Sequence, residues 1–492
     1  MKITNITLFY LLICLNAFGQ DKYGHQWHFQ NHNIMDFRNG NLRLDIILPS
    51  PFYDTGEFTS NICDKTTGDL LFLSGGCYIQ NKVFNIMKNG DSINSKIAYW
   101  SWCRVSQGDG IFPMYQNNVS LPYPSNNNKY LMYNLDFDTI SIPQHILFPR
   151  HLYQNIIDMT GDNGLGEVIE KKKIIINDTL SNGGYLTSVR HKNGKDWWLI
   201  VPKWRTNCYY VVPVTSSGAG LPQKQCIGLN WRENDRGGQV DVSPDGTKYA
   251  RVNKRDTIIV FDFNNETGQF SNPIELYQPN KTDFLQGVCF SQNNRFLYVM
   301  HLQTVYQFDL KASNVPGSMK IIADIKPINQ DGIKGQFQFS RLAPDGKIYI
   351  SSPFNHLYLS VINRPNCLGT LCDFRPYEIQ LKFYNWGAIP NNPHFTMPPA
   401  NYTCDSLNTP TAEIIESVTI SPNPTTNQIT LSSTDAFETY TIVDITGKTV
   451  LKGTLNNKSE IDVAALPDGL YFLSLYNTGR QTRAVGKFVI KH

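Results

Sequence analysis

The sequence predicts an all-β fold, in which a β-propeller of about six or seven blades is followed by a small C-terminal Ig-like β-sandwich. Three observations predict it: a recurring strand–turn–strand pattern, the composition, and a separate set of short strands at the C-terminus. The chain has 492 residues, with 12% aromatic and 17% charged residues, 35 Gly and 27 Pro. Such a composition is typical of many short strands joined by turns, so we expect few long helices.

The recurring pattern is an apolar strand that enters a tight turn, followed by a second strand that leaves it. The turns of the three copies lie at Asp245, Asn293 and Asp345. The first two are 48 residues apart and the last two are 52 residues apart. These intervals are close to the period of about 40 to 50 residues at which propeller blades repeat. Because one blade cannot cover its own apolar faces, we expect residues 38–400 to form one closed ring of four-stranded blades.

The N-terminus has the features of an export signal. An apolar core over Ile6–Leu15 precedes a small-x-small cleavage pattern at Ala17–Gly19, which predicts a signal peptide over residues 1–19. A lipoprotein anchored through Cys14 is the alternative, although the bulky Ile13 before it fits a lipid-modified cysteine poorly. No other apolar run approaches the roughly 20 residues that span a bilayer, so no transmembrane segment is expected in the mature chain.

Of the 10 cysteines, Cys14 lies in the predicted signal peptide, and the others enter a compartment that permits disulfides. Cys367 and Cys372 bracket a short loop that contains Gly369, and we expect them to form a disulfide. Two weaker pairs and three cysteines without an evident partner complete the set: Cys63 with Cys77, Cys208 with Cys226, and Cys103, Cys289 and Cys404. A metal site is the alternative, but the sequence contains no C-x-x-C pair.

Charge and motifs argue against several function classes. A net charge of +3 provides no field that would attract nucleic acid or an acidic membrane. The sequence contains no G-x-S-x-G, no H-E-x-x-H and no P-loop. It therefore lacks the characteristic motifs of nucleophile-elbow hydrolases, zinc proteases and P-loop proteins. We therefore predict no catalytic or metal-binding residue and no cofactor.

A few polar residues are nevertheless candidates for chemistry. His191, beside the turn Lys192–Gly194, is either a general base or a structural histidine that bonds the backbone of the turn. Asp158, Asp162 and Glu167 surround a Gly-rich loop and are either calcium ligands or solvated turn carboxylates.

Tryptophans offer a second kind of candidate. Five of them could include a sugar-stacking platform: Trp197, Trp198, Trp204, Trp231 and Trp386. Trp197 and Trp198 point to opposite faces if they lie in one strand, so at least one of them belongs to the core of a blade.

Several motifs follow one another in a fixed order along residues 25–400: Thr66–Phe72, Met87–Gly90, Ile157–Met159 with Gly164–Gly166, His191–Trp198, Ser243–Gly246, and Leu359–Asn366 with Gly369 and Cys372. This series resembles the propeller-like (WD40/YVTN-like) N-terminal region of large secreted surface proteins from gliding-type Gram-negative bacteria. The resemblance implies a β-propeller in an extracellular protein and assigns no catalytic residue.

Residues 417–492 read as short alternating strands joined by Asn-Pro, Thr-Gly and Asp-Gly turns, as expected of a small β-sandwich. The motif residues are Pro422, Asn423, Pro424, Gly447, Asp468, Gly469, Tyr471 and Lys487. In their order they resemble the type A C-terminal sorting domain of type IX secretion, with an ordinary Ig-like module as the alternative. The resemblance implies the type IX secretion machinery as a partner, and cleavage of the tail during export.

The predicted organisation is a signal peptide (1–19), a propeller (20–400), a linker (401–416) and a sorting domain (417–492). The predicted function is that of an exported binding protein, either attached to the outer surface or released, with an extracellular glycan or protein as ligand. The alternative is a propeller enzyme, a hydrolase or lyase that acts on extracellular glycan or peptide. Buried polar residues at the ring axis would favour binding, whereas a deep channel with converging carboxylates and a histidine would favour catalysis.

Overall fold

A computed structural model describes most of the chain, which divides into two compact units, residues 1–404 and 405–492. The described residues are 21–29, 32–46, 59–103, 114–141, 146–181, 183–231, 237–253, 257–276, 285–325, 336–353, 356–395, 400, 402–404, 415–431, 437–445, 448–455, 459–477 and 482–492. The predicted signal peptide lies outside them, as does most of the predicted linker.

The described part of the first unit contains seven antiparallel sheets, which we number as blades 1 to 7 in chain order. Blade 1 comprises β1 (Gln26–Phe29), β2 (Asn33–Asp36) and β3 (Arg43–Ile46), and blade 2 comprises β4 (Ser60–Cys63), β5 (Leu70–Ser74) and β6 (Ile79–Asn81). Blade 3 comprises β7 (Asn118–Pro122), β8 (Lys129–Ser141), β9 (Ile146–Asp158) and β10 (Glu167–Asn177). Blade 4 comprises β11 (Thr187–Arg190), β12 (Trp197–Pro202), β13 (Cys208–Thr215), β14 (Gly218–Ala219) and β15 (Gln223–Cys226).

The other three blades each have four strands. Blade 5 comprises β16 (Val240–Val242), β17 (Lys248–Val252), β18 (Ile258–Asn264) and β19 (Gln269–Leu276). Blade 6 comprises β20 (Leu285–Phe290), β21 (Phe296–His301), β22 (Thr304–Asp309) and β23 (Lys320–Asp324), and blade 7 comprises β24 (Ser340–Leu342), β25 (Ile348–Ile350), β26 (His356–Ile362) and β27 (Phe374–Asn385). In the described ranges, helical structure is limited to short turns: α1 (Lys96–Ala98), a π turn (Tyr99–Cys103) and 3-10 turns at Asp162–Gly164, Pro316–Ser318 and Gly369–Cys372.

The hairpins predicted from the repeat are present in blades 5, 6 and 7. Asp245 lies in the turn between β16 and β17, and Asn293 and Asp345 lie in the corresponding turns of the next two blades. Each of the three side chains accepts a hydrogen bond from the backbone N–H two residues on, at 3.0 to 3.1 Å. Gly246 has φ +72°, a conformation that glycine adopts without a steric penalty. The three predicted hairpin turns are therefore present and share the same side-chain hydrogen bond.

The seven blades close into a ring, because apolar cores join each blade to the next and the last blade to the first. At the closure, the Tyr349 ring lies 6.1 Å from Trp27 and 5.9 Å from Phe37, measured between centroids. Asn33 and Phe383 exchange two hydrogen bonds of 3.1 Å between side-chain amide and backbone. This arrangement confirms the predicted β-propeller.

Two details of the ring prediction are wrong. The ring begins before residue 38, since β1 and β2 belong to blade 1. Blades 1 and 2 have three strands within the described residues, and blade 4 has five. Ala388 and Ile389, which follow blade 7, complete the core that contains β1. In blade 4 the chain reverses at Gly218 (φ +84°), and β14 and β15 both pair with β13.

Among the described cysteines, three disulfides are formed: Cys77–Cys103, Cys208–Cys226 and Cys367–Cys404. The Cys208–Cys226 prediction is confirmed, because the two residues are directly opposite each other in β13 and β15. The Cys63–Cys77 prediction is wrong: the Cys63 thiol is buried 3.8 Å from the Gln26 carbonyl oxygen, whereas Cys77 bonds to Cys103.

The predicted Cys367–Cys372 disulfide is also wrong. The turn Gly369–Cys372 carries Cys372 into the core between blades 6 and 7, where its thiol is buried and free. Cys367 bonds instead to Cys404, 37 residues further on. The short spacing favoured a local bond, but Cys372 packs in the core between blades 6 and 7, and Cys367 is not a member of that core.

The second unit consists of two sheets that enclose one core. The five-stranded sheet comprises β28 (Ile415–Ser417), β35 (Thr482–Ile490), β34 (Gly469–Asn477), β31 (Thr439–Val443) and β32 (Thr449–Thr454), in that order. The three-stranded sheet comprises β29 (Ile420–Ser421), β30 (Gln428–Leu431) and β33 (Glu460–Asp462). Residues such as Ile429, Leu473 and Phe488 are fully buried between the sheets. The predicted small β-sandwich is confirmed.

Candidate functional site

The ring axis is occupied by the stretch that follows blade 7. Residues 388–395, here called the axial segment, are all buried. The backbone N–H of Asn61, in β4, donates to Asn392 Oδ1 at 3.1 Å. The sequence Ala-Ile-Pro-Asn-Asn-Pro-His-Phe contains two prolines, which favour an extended chain without ladder hydrogen bonds. The segment is therefore held in place largely by hydrogen bonds of its polar side chains, and not by pairing with a neighbouring strand.

Asn391 is the central contact of the axial segment. Its backbone N–H donates to the Thr59 carbonyl at 2.7 Å, and its side-chain amide donates to the carbonyls of Asn118 and Leu186 at 2.8 and 3.0 Å. Its Oδ1 accepts from Gln116 Nε2 at 3.0 Å. These partners belong to blades 2, 3 and 4 or precede their first strands, so one residue joins three blades through its backbone and its side chain.

A buried charged trio lies at the same axis. Asp241, in β16, accepts hydrogen bonds at Oδ1 from Arg341 Nη1 (3.0 Å) and His394 Nε2 (3.1 Å). Its Oδ2 accepts from the Phe290 backbone N–H at 3.0 Å. The three side chains are 0%, 3% and 4% exposed respectively. The trio thus links blades 5, 6 and 7 to the axial segment.

The protonation states of the trio follow from burial and from the neighbouring charges. Burial and the adjacent Arg341 guanidinium lower the pKa of His394, so its imidazole is neutral at pH 7 and donates its Nε2 proton. Burial alone would raise the pKa of Asp241, but its contacts with His394, Arg341 and the Phe290 N–H hold that pKa below its ordinary value. Asp241 is therefore a carboxylate whose two oxygens both accept hydrogen bonds inside the protein.

A cleft opens between two hairpin turns of neighbouring blades, and we call it the blade 4–5 cleft. One wall is the β11–β12 turn around His191, and the other is the β16–β17 turn around Asp245. The cleft has a volume of about 420 Å³, which lies in the range of about 300–1,000 Å³ typical of small-molecule sites. Its lining is Ser188, Val189, Arg190, His191, Lys192, Gly194, Val242, Ser243, Pro244, Asp245, Gly246, Asn265 and His394. Both turns that the sequence singled out therefore meet at one cleft.

His191 has the geometry of a structural histidine. Its Nδ1 accepts a hydrogen bond from the Asn193 backbone N–H at 3.0 Å, which places the proton of the neutral ring on Nε2. The ring stacks on Trp198, with centroids 5.5 Å apart. Because the lone pair of Nδ1 is used by the turn, this arrangement does not favour a general base.

Two of the three acidic candidates of the Gly-rich loop make side-chain contacts within the protein. Asp158 Oδ1 accepts from the backbone N–H and the hydroxyl of Thr160, and Glu167 forms a salt bridge of 3.0 Å with Lys88. Within the described ranges, no group of three or more His, Cys, Asp or Glu side chains is arranged to hold a metal ion. The contacts of Asp158 and Glu167 match the reading as turn carboxylates.

The tryptophan candidates are divided between core and surface. Trp197 and Trp198 lie in different apolar cores on opposite faces of blade 4, as the strand geometry predicts. Trp231 is buried, with the Arg251 guanidinium 4.1 Å from its ring centroid. Trp386 is 48% exposed. The blade 4–5 cleft contains none of these rings in its lining.

The predicted sorting residues meet along the last strand of the second unit. Asn423 donates through Nδ2 to the Lys487 carbonyl at 3.2 Å, and its Oδ1 accepts from the Val489 N–H at 2.9 Å. Asp468 Oδ1 accepts from the backbone N–H and the Nδ1 of His492, at 2.9 and 2.8 Å. Two separate turns thereby hold the end of β35.

Tyr471 fixes the same strand from the core side. Its hydroxyl donates to the Pro467 carbonyl at 2.8 Å, and its ring stacks on Phe488 with centroids 5.8 Å apart. Pro422 and Pro424 follow cis peptide bonds on either side of Asn423. Gly469 begins β34, and Lys487 is exposed. Gly447, the remaining predicted position, lies outside the described residues.

Sequence reasoning missed the axial trio. Asp241 stood out only as a charged residue inside an apolar strand, Val-Asp-Val, and this was the one signal available. His394 and Asn391 lie in a Pro-rich stretch that resembles the end of a domain, and no local pattern marks them as buried.

The fold defines a β-propeller protein with a separate C-terminal β-sandwich. The family model described as "Secretion system C-terminal sorting domain" matches residues 419–491, which is nearly all of that sandwich. The chain is therefore exported by type IX secretion to the cell surface or the medium. None of the helices in the described ranges is long and apolar enough to cross a membrane.

Solved structures similar to this chain include several propellers. PorZ, a surface component of the type IX secretion system of Porphyromonas gingivalis, is 11% identical with a TM-score of 0.30, and the alignment covers 96% of this chain and 60% of PorZ. A putative 6-phosphogluconolactonase from Bacteroides fragilis is 13% identical with a TM-score of 0.36, covering 85% and 97% of the two chains. The Cps50 (Swd1) propeller domain of Myceliophteria thermophila is 9% identical with a TM-score of 0.31, covering 76% and 97%. A search of curated proteins found no match.

Proposed function

We propose that this protein is an extracellular binding protein, delivered by type IX secretion, whose propeller presents ligand sites on its surface rather than a catalytic channel at its axis. The observation that carries the proposal is the axial segment. Asn391 and His394 fill the axis, and the single carboxylate of the trio, Asp241, is fully buried with both oxygens in use. Asp241 therefore has neither access to substrate nor an oxygen left for proton transfer.

The alternative is a propeller hydrolase or lyase that acts on extracellular glycan or peptide. It requires a general acid and a general base whose proton-transfer atoms converge on one substrate position in a cleft. In the blade 4–5 cleft, His191 uses Nδ1 within its own turn. Asp245 uses Oδ1 to accept from Thr247. These contacts support positioning of a ligand by the cleft more than turnover.

The test uses the purified mature chain and two readouts on the same samples. Immobilised extracellular polysaccharides and peptides are incubated with the protein, then retained protein and released soluble product are both measured. We expect saturable retention without product. Product that accumulates in proportion to protein and time would overturn the proposal in favour of the enzyme.

Delivery is tested separately in a host that carries the type IX system. We propose that residues 1–19 are removed as a signal peptide, and that the tail is cleaved within residues 401–416. Truncation after Cys404 is expected to leave the propeller in the periplasm, while the full chain reaches the surface or medium and loses its tail. Mass spectrometry of the exported protein locates both ends. A truncated chain that is exported as efficiently as the full chain would refute the role of the tail.

A further inference from the structure

From the blade 4–5 cleft we infer a binding site for a neutral, hydroxyl-rich ligand, namely a short uncharged glycan. This inference rests on the proposed binding function and gives it a place and a ligand class. The first observation is Ser188, whose side chain lines the cleft and is 1% exposed, although its Oγ has no hydrogen-bond partner. A buried hydroxyl without a partner is costly, so a polar atom supplied from the cleft would be favourable there.

The charges around the cleft favour a neutral ligand. Lys192 forms an ion pair of 2.7 Å with Glu266, and Arg190 lies 3.4 Å from Asp21 and donates to the Gly194 carbonyl. Both cations of the lining therefore already have anionic partners. An anionic ligand would have to compete with these carboxylates, whereas a neutral one would not.

The arrangement of donors and acceptors favours hydroxyl groups. The Nε2–H of His191 presents a donor on one wall, while the Asp245 carboxylate and the Asn265 amide lie on the other. Each hydroxyl of a sugar donates and accepts at once, so neighbouring hydroxyls can bridge such walls. A peptide site would need apolar pockets for alternate side chains. Only three side chains of this lining are apolar, namely Val189, Val242 and Pro244.

Two variants test the site without disturbing the fold. Ser188→Ala removes the buried hydroxyl that has no protein partner, so we expect stability to stay equal or rise. Asp245→Asn keeps the Oδ1 acceptor that the turn uses, and blade 6 forms the same turn with Asn293. Ser340→Ala is the matched control, because Ser340 is also a buried serine without a hydrogen-bond partner for its hydroxyl but lies outside the cleft.

The probes are neutral gluco-, manno- and xylo-oligosaccharides, with oligogalacturonate as the acidic comparison, measured by isothermal titration calorimetry. We expect a neutral oligosaccharide to bind more tightly than oligogalacturonate. The affinity for the neutral probe should be about 3- to 10-fold lower in Ser188→Ala and in Asp245→Asn. It should be unchanged in Ser340→Ala. No binding of any neutral probe, or equal binding by all three variants, would overturn the cleft assignment. If the protein still retains polymer in the assay above, the binding function stands without this site; if it releases product instead, the binding function itself fails.

Discussion

Removing the carboxylate at the ring axis should destabilise the propeller far more than removing a surface ion pair. In Asp241→Ala, the Arg341 guanidinium and the His394 imidazole, 3% and 4% exposed, lose their shared acceptor. Breaking a buried pair by deleting one partner costs about 3–5 kcal/mol, because an uncompensated charge remains inside. Lys248→Met is the control: its ion pair with Asp262 is partly exposed, and we expect a loss of at most about 1 kcal/mol.

The assay is urea unfolding of the full chain, followed by tryptophan fluorescence. All 8 tryptophans precede residue 405, so the signal reports on the propeller and not on the sorting domain. The double variant Asp241→Leu with Arg341→Met removes both charges and should recover most of the lost stability. If Asp241→Ala loses no more stability than Lys248→Met, the trio does not hold the blades together and the reasoning is refuted.

Three further changes have distinct expected outcomes. Cys404→Ser opens the 37-residue loop closed by Cys367 and should lower the free energy of unfolding by about 2–4 kcal/mol in the same urea assay; an unchanged midpoint would contradict this. Burial raises the pKa of Asp136 to about 6, so the folded state binds this proton more tightly than the unfolded state and loses stability as the pH rises from about 4 to 6. Asp136→Asn should therefore gain about 2–3 kcal/mol relative to wild type between pH 4 and pH 7, and a pH-independent difference would count against it. Gly184→Ala places a Cβ 1.5 Å from the Tyr115 carbonyl oxygen at φ +82°, so we expect a loss above about 3 kcal/mol or no soluble protein, and a melting temperature equal to that of wild type would show the contact to be wrong.

The sequence predicted those features that depend on local chemistry. Asp245, Asn293 and Asp345 could be placed in hairpin turns because a turn is decided by a few neighbouring residues. The sorting-domain turns were predictable for the same reason. Asn423 and Asp468 lie in such turns, and both bond to residues near the end of β35.

The axial segment and the disulfides could not be predicted in this way. Asn391 bonds to Asn118 and Leu186, which are 273 and 205 residues away in the chain, so no short window contains the reason for its burial. Cys372 is likewise kept from Cys367 by the core between two blades, and not by the loop that joins them. Only Asp241 carried a signal, as a charge within an apolar strand.

Hydrogen–deuterium exchange of the axial segment tests most directly the claim that the ring axis is closed. The measurement follows the peptide that covers residues 388–395 in the native full chain by mass spectrometry, beside peptides from β17 and β18. The account predicts that the segment exchanges as slowly as those strands, because it is buried and the Asn391 N–H is bonded to the Thr59 carbonyl. Exchange at the rate of an unstructured peptide would mean that the axis opens in the native protein, and would contradict the account.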